Sequence, residues 1–141
     1  MTPPLYNLEI LKLAASTSTL NRLENAQASI ERRSPTCGSR VRIDLNLDRD
    51  GRVTALGADL HACALGQAST ALMLAHAYGQ SAQDIADARD ALRAYLKGER
   101  PQPGDWPGLD IFAPARKHAG RHASILLAFE AAAEAAKAAS S

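Results

Sequence analysis

The sequence predicts an α+β fold: an N-terminal helix, a small antiparallel three-stranded sheet, then several helices packed on it. Two observations carry this. Val41, Ile43, Leu45 and Leu47 alternate with Arg42, Asp44 and Asn46, the period of two of a half-buried strand. After Cys63 the apolar spacing changes to threes and fours, through Leu65, Ala68, Leu72 and Met73, the period of a helix.

Taken in order, Pro3 and Pro4 precede Leu5, Leu8, Ile10, Leu11 and Leu13, the apolar pattern of a first helix, and polar Ser16 to Asn21 ends it. Ser29 to Arg33 reads as a strand broken by Ser34 and Pro35. The alternating strand from Val41 to Leu47 leads into Asp48-Arg49-Asp50-Gly51, where Asp–Gly supplies the positive φ of a hairpin turn. Arg52 to Leu56 returns as its partner. A helix then runs from beyond Cys63 to a stop at Gly79, with His76 read as a core histidine. Ser81 caps the next helix, with Asp84 in its first turn, and this helix runs to Gly98. Pro101, Pro103, Gly104 and Pro107 mark a loop that Trp106 anchors. A last helix starts near Arg121, carries Ile125, Leu126 and Phe129, and fades into an alanine-rich tail.

The 141 residues suit one domain, 1–141, large enough to bury a core without staples. A formal net charge of +1 gives no field to recruit nucleic acid or an anionic membrane surface. The first residues contain Glu9 and Lys12 and lack a signal-peptide pattern, and no stretch reaches about 18 apolar residues. The expected location is cytoplasmic, where two cysteines are more often free, metal-binding or redox-active than a structural disulfide. No phosphate loop, nucleophile elbow or paired general acid and base is present. Asp44, Asp48 and Asp59 read as solvated strand or turn residues. The chain reads as a binding protein rather than an enzyme.

The chemistry then falls to Cys37 and Cys63. Cys37 lies in Ser34-Pro35-Thr36-Cys37-Gly38-Ser39, a turn before the strongest strand, where Gly38 allows close backbone approach. Cys63 lies where strand gives way to helix, and the positive end of a helix favours a negative ligand there. A separation of 26 positions is no zinc-finger spacing, so two buried apolar thiols remain an equal reading of the residues alone.

Ser34-Pro35-Thr36-Cys37-Gly38, followed by Ala62-Cys63-Ala64-Leu65-Gly66-Gln67-Ala68-Ser69, resembles the NifU/IscU/SufU-type iron–sulfur cluster assembly scaffold family. The leading helix, the hairpin and the late Arg121-His122-Ala123-Ser124-Ile125-Leu126-Leu127-Ala128-Phe129 agree in order and spacing, so the resemblance spans nearly the whole chain. It implies that Cys37 and Cys63 bind iron or an iron–sulfur cluster. It also implies a cysteine desulfurase and apo-protein acceptors as partners, with the chain a monomer or homodimer. The stretch Phe112 to Arg116 matches a chaperone-recognition motif only loosely, so no chaperone is expected.

Two positions depart from the family pattern. Its third cysteine falls on Ser124, and an aspartate two residues after the first cysteine falls on Ser39. A serine hydroxyl ligates metal poorly at neutral pH. Imidazoles offer replacements, so His61, His118 and His122 join the candidate metal ligands. His61 precedes Cys63 by two positions; His122 and Ser124 lie about 200° apart on a helix, which prevents a simple exchange. Alternatives to a cluster scaffold are a zinc-binding or regulatory relative, and a thiol-redox or sulfur-transfer protein using both cysteines.

Overall fold

The structure, a computed structural model, describes residues 5–35 and 38–140. The chain forms α1 (Leu8–Ser16), β1 (Ala28–Arg33), β2 (Arg40–Leu47), β3 (Val53–His61), α2 (Ala64–His76), α3 (Ala82–Leu96) and α4 (His122–Ala139). Short 3-10 turns cover Thr17–Thr19, Leu109–Lys117 and Ala119–Arg121. The α+β expectation holds, with the helix first and the other helices after the sheet.

The sheet order is β1-β2-β3, antiparallel throughout. Its β2–β3 turn forms because Asp48 Oδ1 accepts from the N–H groups of Asp50 (2.9 Å) and Arg52 (3.0 Å). Gly51 there has φ +78°, which a β-branched residue could not hold cheaply. The alternation of β2 places Val41, Ile43, Leu45 and Leu47 in the core. α4 packs against that sheet through β1 and β2, and against α2 and α3 as well; α1 lies on α2.

Local chemistry explains where the helices begin. Asn7 caps α1 by accepting from Ile10 N–H at 2.9 Å. At α3, Ser81 and Asp84 form a reciprocal capping box, which fixes the start read from the sequence. Trp106 does anchor its loop: Nε1 donates to the Leu72 carbonyl at 3.0 Å, and its ring meets Phe129 edge-on, centroids 5.3 Å apart.

Three expectations need correction. The alanine-rich stretch does not fade. Ala131, Ala132, Ala133, Ala135 and Ala136 are buried, because small side chains let α2, α3 and the sheet approach α4 closely from several sides. Asp44 is not solvated but fully buried, held by Arg22, Ser29 and Leu23 N–H. His76 is half-buried near the end of α2 rather than a core residue.

The outer face of the sheet is covered at its middle by residues 21–23. A Cβ on Gly57 would stand 2.3 Å from Leu23 N, so only glycine lets this segment lie flat on β3. Among the described residues, no helix is long and apolar enough to cross a membrane.

Candidate metal and cluster site

Three parts of the chain meet at one end of the sheet. The first is the β1–β2 connection, where Ser34 N–H donates to the Ser39 carbonyl at 2.8 Å and Gly38 has φ +74°. The second is the end of β3 and the start of α2. The third is the start of α4. They touch through Ser39 and Ser124, whose hydroxyl oxygens lie 3.4 Å apart and are buried. A Cβ on Gly66, in the first turn of α2, would stand 3.2 Å from the Ser124 carbonyl oxygen. Positions 39, 66 and 124 thus converge although the chain separates them widely.

Cys63 is the N-cap residue of α2, extended at φ −66°, ψ 169°, with its carbonyl accepting from Gln67 N–H at 2.9 Å. The thiol is half-buried and packs against the edge of the core. It makes no side-chain cap, so the first N–H groups of α2 remain directed at whatever approaches the helix start. The change of period in the sequence located this residue well. Cys37 lies outside the described residues, as does Thr36.

The three candidate histidines occupy different places. His61 ends β3 and is exposed, paired in register with Arg40, which itself bonds Asp59 at 3.1 Å. β3 stops at His61, so the strand parity expected to align it with Cys63 does not extend to the thiol. His118 is exposed between two 3-10 turns, on neither helix nor strand. His122 opens α4, and its Nε2 lies 2.9 Å from the Ala115 carbonyl. That contact requires a proton on Nε2, because a carbonyl oxygen only accepts.

A cluster or a zinc ion asks for about four good donors. Among the described residues, no three of His, Cys, Asp and Glu converge on one point. Where the family pattern has a thiolate and a carboxylate, this site presents two hydroxyls in contact with each other. The described residues, which leave out Cys37, therefore supply no full ligand set, and zinc finds no support in them. Ser39 and Ser124 are 85 positions apart, so their contact carries no local signal in the sequence.

Arg116, in the stretch compared with a chaperone motif, is tied down. Its guanidinium lies 4.4 Å from the Tyr95 ring centre, and its Nε donates to the Tyr95 carbonyl at 2.8 Å.

No family model and no curated protein sequence matches the chain. Solved structures do. The crystal structure of a nitrogen-fixing NifU-like protein (N-terminal) from Brucella abortus shares 36% identity over 96% of this chain and 94% of its own, with TM-score 0.89. This chain belongs to the NifU-like family. A proposed iron–sulfur cluster assembly scaffold protein for the SUF system from Fervidobacterium islandicum shares the fold, at TM-score 0.85 and 20% identity. That alignment covers 94% of this chain and 96% of the Fervidobacterium one.

Proposed function

We propose that this NifU-like chain is an iron–sulfur cluster assembly protein that carries iron or a nascent cluster as cargo on Cys63 and Cys37. It is a carrier rather than an enzyme. A cysteine desulfurase would supply its sulfur, and apo-proteins would accept the product. The observation that carries the reading is the place of Cys63: half-buried, at the start of α2, beside the meeting point of the β1–β2 connection and α4. A thiolate there meets the positive end of a helix, and a cargo with so few ligands leaves easily.

His61, His118 and His122 are candidates for a further ligand, and the His122 ring is held by its Nε2–H to the Ala115 carbonyl. Anaerobic incubation with ferrous iron and sulfide tests the proposal. The wild-type chain should develop visible sulfur-to-iron absorption, and Cys63→Ala and Cys37→Ala should each abolish it. If Cys63→Ala colours as fully as wild type, the reading fails. Alanine at each histidine in turn identifies any that ligates.

A further inference from the structure

We propose that the Ser39–Ser124 pair is the specificity determinant of this site: it withholds two ligands and so keeps the site from retaining zinc. The inference rests on the cargo-binding reading of Cys63 and concerns which ions that site can keep.

The geometry is specific. The two hydroxyl oxygens lie 3.4 Å apart, longer than the about 2.8 Å of a good O–H···O bond. Two ligands on one tetrahedral ion, with bonds of about 2.1 Å, stand about 3.4 Å apart. The two hydroxyl oxygens thus stand at the spacing of two neighbouring donors on a metal. Both are buried, at 4% and 2% exposure, so they cannot swing away to bulk water. The start of α2 comes close to Ser124 from another side: a Cβ on Gly66 would stand 3.2 Å from the Ser124 carbonyl oxygen, and Cys63 is the N-cap of that helix.

What fills these positions decides the chemistry. A serine hydroxyl must lose a proton to become a strong anionic ligand, and at neutral pH it keeps it. The two hydroxyls instead contact each other. A d¹⁰ zinc ion needs a closed set of about four N, O or S donors, so withholding two leaves it weakly held. Iron delivered with sulfide suffers less, because sulfide completes part of each iron's coordination within the cargo itself. The pair therefore biases the site against a bare soft dication and toward a cargo that brings its own sulfur.

The test is zinc binding, measured by competition with a chromophoric chelator and by melting temperature, on wild type, S124A and S39D/S124C. Aspartate is chosen at 39 because a second new thiol could pair with the first. Wild type and S124A should bind zinc equally weakly and lose it on desalting. S39D/S124C should retain one zinc per chain, with affinity higher by roughly a hundredfold and a melting temperature raised by the metal. Adding Cys63→Ala to that double variant should remove the gain.

Wild type retaining zinc as tightly as the double variant would overturn the proposal. So would a double variant that keeps its circular dichroism yet gains nothing. If the double variant does not fold, S124A decides: unchanged weak binding supports the proposal, and a loss makes Ser124 itself a ligand and sinks it. Failure of iron and sulfide uptake, with the zinc results as expected, removes the cluster reading and leaves the role of the pair intact.

Discussion

The Ser69 hydroxyl donates a 2.5 Å hydrogen bond to the carbonyl oxygen of Ile125, 56 positions later, and both residues are fully buried. The bond ties α2 to the first turn of α4, at the residue next to Ser124. The carbonyl keeps its helical donor when the hydroxyl is removed, so the loss is that of one hydrogen bond. Ser69→Ala should lower the unfolding free energy by about 1 kcal/mol. Urea denaturation followed by circular dichroism measures it, and an unchanged midpoint would show that the bond contributes nothing net.

Asp44 makes stability depend on acid. Burial by itself raises its carboxyl, but hydrogen bonds from Arg22, Ser29 and Leu23 N–H outweigh that and hold it below its ordinary value of 3.8. A group lowered on folding contributes stability that is complete above its unfolded value and is lost as pH falls through the folded one. Wild type should hold its urea midpoint from neutral pH down to about pH 4 and lose stability below that. Asp44→Asn should be less stable at neutral pH and should show a shallower loss in acid. Equal acid slopes in the two proteins would exclude Asp44 as the source.

Gly57→Ala tests the close approach of residues 21–23 to β3. The added carbon would meet Leu23 N at 2.3 Å and the Arg22 carbonyl carbon at 2.9 Å, both backbone atoms that cannot rotate aside. The covering segment must lift, and with it the Arg22 and Leu23 bonds to Asp44. A loss of about 3 kcal/mol is expected in thermal or urea unfolding. A loss below about 0.5 kcal/mol would mean that the segment yields freely.

Ala132→Leu probes the packing around α4. Ala132 is fully buried among elements that approach because its side chain is small. Overpacking there should cost about 1–3 kcal/mol, read as a fall in the urea midpoint. A neutral or stabilising result would reveal unfilled space beside the helix.

The hairpin and α3 were legible because their signals are local: Asp–Gly in one turn, and Ser81 with Asp84 three residues on. The 3-10 run Leu109–Lys117 was not, since Pro114 and irregular spacing give no period to read. Asp44 was misread because Arg22 and Leu23 reach it from more than twenty positions upstream, in a segment with no pattern of its own. The buried part of α4 escaped for a different reason. Alanine differs little between faces, so an all-round buried helix of alanines shows no apolar stripe. At the site, the change of period located Cys63, whereas the meeting of Ser39 and Ser124 follows only from the complete fold.

The central place of α4 also shapes how the chain can fold. Arg32, on β1, bonds Glu134, on α4, across 102 positions, and β1 and β2 both rest on that helix. The sheet therefore closes early in the sequence but keeps its apolar face open until α4 has been synthesised and docked. Long-range closure of this kind slows folding. During synthesis the sheet therefore stays uncovered until α4 has emerged to dock on it.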